Sequence, residues 1–137
     1  ILEDDATFCQ GFSQRAGEFL QAVAALPNAW DSLMLGGQHL AAPYTVQRGD
    51  GTRPGIVKVV NGNRTHAFAV RGEFIGAAYT HLSNYVDHAK HTRHHVDHRL
   101  GVMHKTGRWN VYAPTPWLVG QVESVSDIAD KSVGTRF

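Results

Sequence analysis

The chain begins with two apolar residues that run directly into three consecutive acids, and a helical pattern follows at once. Ile1 and Leu2 predict the end of a buried strand, so Glu3, Asp4 and Asp5 are expected where that strand ends. Three adjacent carboxylates repel one another, and a fold keeps them at a strand end chiefly where a cation or a proton offsets the repulsion. The alternative is a solvated turn that caps a helix, because Asp is also favoured at N-cap and first-turn positions. The cluster alone does not decide between the two.

The composition predicts one domain and shows no charge signature of a polyanionic partner. The 137 residues, 42% of them hydrophobic, suffice for one modest core, so residues 1–137 are expected to form a single domain. Thirteen basic and twelve acidic residues leave a net charge of +1, which gives no electrostatic footprint for nucleic acid or an anionic membrane. The single cysteine excludes an intrachain disulfide, and no apolar run approaches the roughly 20 residues of a membrane span. We expect a cytoplasmic protein.

Periodicity predicts alternating strands and helices, which indicates an α/β fold. Apolar residues at steps of three and four predict a helix over residues 9–25. A second helix is predicted over residues 72–86, with Ile75, Tyr79, Leu82 and Val86 as its apolar stripe, and a third around residues 94–103. Strands are predicted over residues 30–35, 56–60, 65–70, 109–112 and 117–119.

Glycine and proline mark the connections between these elements. Residues 61–63, Asn-Gly-Asn, lie between two predicted strands and suggest a hairpin. Residues 41–55 hold three glycines and two prolines and are predicted to be a long loop, typical of a lid or binding segment. Pro114 and Pro116 are expected to prevent pairing in the centre of a sheet.

Five of the nine histidines fall within residues 88–98. On a helix His91, His95 and His98 would share a face, and His94 lies four residues before His98, so zinc binding must be considered. The segment has no capping signal, no Glu between a His pair and no nearby Cys. These absences favour the alternative, a solvated and partly cationic helix face.

Six short motifs follow one another along nearly the whole chain. In order they are LEDD at residues 2–5, WDSLMLGG at 30–37, RTHAF at 64–68, VDHRL at 96–100, VYAP at 111–114 and SDI at 126–128. Together they resemble glycosyltransferase family 25, which includes bacterial lipooligosaccharide galactosyltransferases and the collagen galactosyltransferases. Each motif is short, and the resemblance rests on their order.

The resemblance implies a partial GT-A-like fold, an α/β sandwich in which an acidic motif at a strand end holds a divalent ion, commonly Mn²⁺. It implies transfer of a hexose, galactose or glucose, from a nucleotide sugar such as a UDP-hexose to a hydroxyl of a glycan or a protein, as in lipopolysaccharide biosynthesis. The chemistry agrees, because a diphosphate can lie beside carboxylates only with a divalent cation between them.

The metal ligands that the resemblance implies are Asp5, Asp4 and Gln121. Asp5 is the first choice for direct ligation, and Glu3 or Asp4 would hold the ribose or a metal-bound water. Many GT-A enzymes take a third ligand, often His, from near the C-terminus, whereas this chain has the neutral Gln121 there. His104 is a further candidate for that ligand.

The resemblance also implies a set of donor-binding residues, namely Glu3, Asp4, Gly36, Gly37, Gln38, Arg64 and His66. The two glycines would bring backbone close to the donor sugar, where Gln38 or His39 could hydrogen-bond its hydroxyls. Arg64 and His66 would contact the donor diphosphate or sugar. The alternative for both is structural pairing within the predicted hairpin.

For catalysis the resemblance implies that Asp97 is the general base, with His98 tuning its pKa or relaying the proton. The alternative for Asp97 is a surface ion pair with Arg93 or Arg99. Trp117 would stack on an acceptor sugar ring, the alternative being an aromatic residue of the core.

In a GT-A domain the strands that bind the nucleotide base precede the acidic motif, whereas this chain begins at that motif. We therefore expect the C-terminal portion of a catalytic domain that lacks the N-terminal nucleotide-binding strands, binds donor nucleotide poorly and is inactive alone. A homo-oligomer that covers an exposed sheet edge is also expected. Two other functions stay open: a non-catalytic His-rich metal-binding module and a phage-type DNA-base glucosyltransferase.

Overall fold

The computed structural model describes residues 1–84 and 95–122, together with the backbone of residues 124–125 and 132–133. These residues form a mixed α/β fold, as predicted. The helices are α1 (Phe12–Ala24), α2 (Glu73–Ser83) and α3 (Val96–Lys105). The strands are β1 (Ala6–Phe8), β2 (Ser32–His39), β3 (Tyr44–Gln47), β4 (Gly55–Lys58), β5 (Gly62–Val70), β6 (Val111–Thr115), β7 (Val119–Gln121), β8 (Ser124–Val125) and β9 (Ser132–Val133).

Five strands form the main sheet, in the order β3-β4-β6-β2-β5. β2 and β6 run parallel, and the other neighbours run antiparallel. Two smaller antiparallel sheets are formed by β1 with β7 and by β8 with β9. All four residues of β3 are exposed, which leaves one edge of the main sheet uncovered by the described residues. Self-association through such an edge stays a prediction.

Two hydrophobic clusters cover the two faces of the main sheet. Neighbouring residues alternate between them, since Leu33 packs with α1 while Met34 packs with α2 and α3. Phe19 of α1 and Phe74 of α2 are the largest fully buried side chains on their respective faces. The sheet is therefore the middle of three layers, with α1 on one side and α2 and α3 on the other.

The first three residues lie along the free edge of β5. Ile1 and Phe68 exchange main-chain hydrogen bonds of 2.9 and 3.0 Å, and the Glu3 N–H donates to the His66 carbonyl (2.9 Å). The extended conformation was predicted correctly, but burial was not, because Ile1 and Leu2 are 72% and 58% exposed. An edge position leaves their side chains open to solvent.

The predicted hairpin is wrong, because its two strands lie apart in the sheet. β4 pairs with β3 and β6, whereas β5 pairs with β2. The turn residues 61–63 were identified from local chemistry, which does not determine the partner of each strand. The predicted loop at residues 41–55 likewise contains β3. Its turn is held by the Asp50 carboxylate, which accepts hydrogen bonds from the Thr52 and Arg53 N–H groups (3.0 and 2.7 Å).

Pro114 lies within β6 in the centre of the sheet, contrary to expectation. The Val59 N–H donates to the Val111 carbonyl (2.8 Å), and hydrogen-bonded pairs alternate along an antiparallel ladder. Pro114, opposite Ile56, therefore occupies a non-hydrogen-bonded pair on the β4 side. On its other side β6 pairs with β2 only at Val111 and Tyr112, so no ladder needs an N–H from Pro114.

The helices begin and end within a few residues of their predicted bounds, but the face that α2 turns inward differs in part from the predicted one. Ala16, Phe19 and Val23 of α1 are buried, as its periodicity predicted. In α2 the buried residue is Phe74, whereas Ile75 and Tyr79 of the predicted stripe are 53% and 75% exposed. Leu82 of that stripe packs against the core as predicted, and Val86 lies outside the described residues. Across the described part of the chain, no helix combines the length and the apolar character needed to cross a membrane.

Candidate functional site

The three acids lie in a tight turn between the edge of β5 and β1. The Ala6 N–H donates to the Glu3 carbonyl (3.2 Å), which closes the turn. Glu3 and Asp5 are partly buried, while Asp4 is exposed. Helix α1 begins later, with Gly11 at its N-cap position, so the cluster does not cap a helix.

The Glu3 carboxylate is held by three side chains. The Thr65 hydroxyl donates to Oε1 (3.1 Å), while Gln121 Nε2 and His66 Nδ1 lie 2.8 and 3.3 Å from Oε2. A carboxylate only accepts hydrogen bonds, so the His66 proton on this bond is on Nδ1. The hydrogen bond from His66 has the largest effect on the pKa of Glu3, and together these bonds lower it, although burial acts to raise it.

Gln121 joins Glu3 to Asp5. Its Nε2 also lies 3.5 Å from Asp5 Oδ1. Pairing of β1 with β7 places Gln121 opposite Ala6, and the Val122 N–H donates to the Asp5 carbonyl (3.0 Å). Two carboxylates thus approach one amide nitrogen, a position where a positive charge would be stabilised. Asp4, predicted as a ligand, is not brought into this group.

An irregularity in β5 brings Thr65 and His66 to Glu3. Gly36 pairs with Ala67 and Gln38 pairs with Asn63, so residues 64–66 of β5 stand opposite Gly37 alone. We call residues 64–66 the β5 bulge. Extra residues in one strand bend it and re-aim its side chains, and such bulges are common beside functional sites. Both Arg64 and His66, predicted to bind the donor, lie in this bulge.

Gly36 and Gly37 are explained by packing within the chain. A Cβ at Gly37 would lie 2.7 Å from Met34 Cε and 2.9 Å from the Arg64 carbonyl oxygen, and one at Gly36 would meet the Val119 backbone. These glycines therefore let β2 approach the β5 bulge and β7. A donor sugar is not needed to account for them. Gln38 is exposed at the end of β2.

Arg64 has a strained backbone and a charged side chain for which the described ranges provide no ion pair. Its φ of 58° makes it the one non-glycine residue with positive φ in the described ranges. Its guanidinium makes no ion pair with another described residue. Its N–H donates to Asp97 Oδ2 (3.3 Å), and the His98 N–H donates to Asp97 Oδ1 (2.7 Å). Asp97 therefore contacts the β5 bulge, whose next two residues, Thr65 and His66, bind Glu3.

The predicted acceptor residue Trp117 stacks on His39, with ring centroids 4.5 Å apart and an interplanar angle of 25°. Trp117 is partly buried and packs against the core, so its core interpretation is supported. Burial lowers the pKa of His39. His104 is buried and its Nδ1 accepts the Gly62 N–H (3.3 Å), which lowers its availability as a metal ligand.

The histidine stripe lies mostly outside the described residues, because His88, His91 and His94 fall within residues 85–94. Of the two that are described, His95 is partly exposed and His98 is exposed, with ring centroids 6.4 Å apart. Residues 126–128 of the last motif also fall outside. Within the described ranges, no three His, Cys, Asp or Glu side chains are grouped for metal binding.

An apolar groove of about 360 Å³ adjoins Glu3 and its hydrogen-bond partner Thr65. Among the described residues, Glu3 and Thr65 are its polar lining residues, and the others are Ile1 and apolar side chains of β5, α2 and α3. This wall limits the hydration of Glu3.

Sequence reasoning missed Thr65 as a partner of Glu3. Its position between Arg64 and His66 in one motif was a signal, since a bulge can turn adjacent residues to the same side. Comparison of the chain with protein-family models, with curated proteins and with solved structures gave no match.

Proposed function

We propose that this chain carries the metal- and diphosphate-binding portion of a glycosyltransferase that moves a hexose from a nucleotide sugar to an acceptor hydroxyl. The observation that carries the proposal is the convergence of Glu3, Asp5 and Gln121 beside a β5 bulge that bears Arg64 and His66. These residues come from three distant parts of the chain. They combine acids that suit a cation with a guanidinium that suits a phosphate and makes no ion pair with another described residue.

The donor atoms fit a hard divalent cation such as Mn²⁺. Carboxylate and carboxamide oxygens are suitable ligands, and Gln121 can present its oxygen after rotation of the amide. Ions of this type are commonly bound by one or two carboxylates together with substrate phosphates and water, rather than by a complete protein cage. Two carboxylates are therefore sufficient. When bound, the cation would stabilise the negative charge that develops on the departing diphosphate.

The remaining residues have separate roles in the transfer. Arg64 would bind a diphosphate oxygen by a charge-assisted hydrogen bond, while His66 and Thr65 orient Glu3. The acceptor oxygen attacks the anomeric carbon, the bond from that carbon to the phosphate oxygen breaks, and the nucleoside diphosphate leaves. The acceptor proton passes to Asp97, the candidate general base, beside His98.

Binding of Mn²⁺ tests this proposal directly. Electron paramagnetic resonance of free Mn²⁺ would measure binding to the full chain with and without UDP. We expect Glu3→Gln combined with Asp5→Asn to weaken binding by more than about tenfold. The matched control is Asp4→Asn, which removes the exposed acid between them and should preserve binding. Equal Mn²⁺ affinity of the wild type and the double variant would refute the proposal. Transfer from UDP-galactose and UDP-glucose would then be assayed with glycan and protein acceptors.

A further inference from the structure

Helix α3 is attached to the start of β5 by one of its faces. Asp97, Gly101 and His104 follow at steps of four and three residues, so they lie on the same side of the helix. Asp97 accepts the Arg64 N–H, and His104 Nδ1 accepts the Gly62 N–H, both at 3.3 Å. The helix therefore binds two main-chain N–H groups of β5, one of them in the β5 bulge.

Gly101 lets the helix come close enough for these bonds. A Cβ at Gly101 would lie 2.6 Å from Asn61 Oδ1 and 2.7 Å from the Gly62 carbonyl oxygen. Backbone and side-chain oxygens of the strand thus occupy the space that any larger residue would need. Asp97 lies one helical turn before Gly101 on the same face of α3, so the close approach at Gly101 also brings Asp97 to β5. Its Oδ1 also accepts the His98 N–H (2.7 Å), which limits rotation of the carboxylate.

The residue whose N–H donates to the Asp97 carboxylate, Arg64, is the one with the strained backbone. A left-handed conformation is unfavourable for a residue with a Cβ, and it persists only where the surroundings hold it. The Arg64 N–H is held by Asp97, and Gly37 on the opposite strand leaves room for the Arg64 carbonyl. The same conformation sets the direction in which the Arg64 side chain leaves the backbone.

We infer that Asp97 is a positioning residue, which holds Arg64 in its left-handed conformation so that the guanidinium can bind an anionic diphosphate beside Glu3. This inference rests on the proposed function for its ligand, and it assigns Asp97 a role separate from that of a general base. The two roles need different properties of the side chain. Positioning needs an acceptor for the Arg64 N–H, whereas base catalysis needs a carboxylate that can take up a proton.

Substitutions at Asp97 and Arg64 separate these roles. Asparagine keeps an acceptor oxygen, so Asp97→Asn should bind UDP within about twofold of the wild type, while Asp97→Ala should lose roughly tenfold, as should Arg64→Ala. Because Asp97 acts through Arg64, the double alanine variant should bind no more weakly than Arg64→Ala. The matched controls are Glu73→Ala, an exposed acid in the first turn of α2, and Arg48→Ala, an exposed arginine.

The measurement is a titration with UDP in the presence of Mg²⁺, a diamagnetic substitute for Mn²⁺, followed by amide shifts in nitrogen-15 NMR spectra up to millimolar ligand. The same spectra report hydrogen exchange of the Arg64 amide, which should be slow in the wild type and in Asp97→Asn and fast in Asp97→Ala. These spectra also show whether each variant is folded.

The possible outcomes distinguish the inference from the proposed function. Unchanged UDP affinity in Asp97→Ala, with binding by the wild type intact, would overturn the inference and leave the proposed function standing. Additive losses in the double variant would also overturn it. If the wild type binds no UDP, the diphosphate ligand and the proposed function both fail. In that case, loss of Arg64 amide protection in Asp97→Ala would still support the structural contact.

Discussion

Gln121 Nε2 lies 2.8 Å from Glu3 Oε2, although 118 residues separate them in sequence. Pairing of β1 with β7 brings the two side chains together, and the same amide nitrogen reaches Asp5. Because Glu3 and Asp5 both approach the Gln121 side chain, the three residues form a group that could bind a cation. Four predictions follow from this group and its surroundings.

Replacing the amide by a third carboxylate should make stability depend on a divalent cation. We expect Gln121→Glu to lower the free energy of unfolding by about 1–2 kcal/mol without metal, because the new charge faces Glu3 and Asp5 and a donor is lost. Mn²⁺ should restore that loss. Urea unfolding with and without Mn²⁺ measures the effect, and Gln10→Glu, at an exposed position, is the control. A metal-independent effect of Gln121→Glu would contradict the prediction.

The Glu3 carboxylate should stabilise the fold at pH values above its folded pKa, and this stabilisation should be lost in acid. Its pKa is lower in the folded chain than the usual value of 4.5, so the unfolded chain binds more protons between the two values. The stabilisation is fully present above pH 4.5 and is lost as the pH falls through the lower folded value. We expect Glu3→Gln to flatten this dependence in urea unfolding measured from pH 7 to 3. The exposed Glu73→Gln should leave the slope unchanged.

Burial of His104 should produce a second pH dependence of the folding stability, in a higher pH range than that of Glu3. Its pKa is lowered from 6.5 to about 4 by burial. Between these values the unfolded chain takes up a proton that the folded chain does not, so stability falls as the pH decreases from 6.5 to about 4. His104→Asn keeps an acceptor for the Gly62 N–H and should remove this part of the dependence. His98→Asn, at an exposed histidine, should preserve it in the same unfolding series.

The approach of β2 to the β5 bulge should not tolerate a side chain at Gly37. We expect Gly37→Ala to lower the free energy of unfolding by about 1–3 kcal/mol, because its Cβ would meet Met34 and the Arg64 carbonyl. Gly17→Ala is the matched control, since nothing lies within 4 Å of its added Cβ within α1. That change should stabilise the chain by about 0.5–1 kcal/mol. Similar thermal unfolding of the two variants would show that the space beside Gly37 is not needed.

Local pattern was sufficient for the three helices and for four of the five strands of the main sheet, but not for β3. The three- and four-residue steps predicted α1 and its buried Ala16, Phe19 and Val23, because a helix repeats within one turn and needs no partner to define its faces. For α2 the same rule predicted the core contact of Leu82 but wrongly placed Ile75 and Tyr79 on the buried face. Phe74, next to the predicted Ile75, is buried because the helix packs against Trp109, at a centroid distance of 5.2 Å. Nothing within α2 specifies that contact.

The sequence by itself therefore determined an α/β chain, an acidic turn after an extended segment, and the residue types around it. The hydrogen-bond partners of Glu3 and Arg64 were decided by the tertiary structure. Strand pairing brought Gln121 and His66 to Glu3, and a register shift between β2 and β5 placed three residues opposite Gly37. Asp97 reached Arg64 only because α3 lies against β5. Strand registers and helix packing depend on contacts between residues far apart in the chain, and periodicity records only which face of each element is apolar.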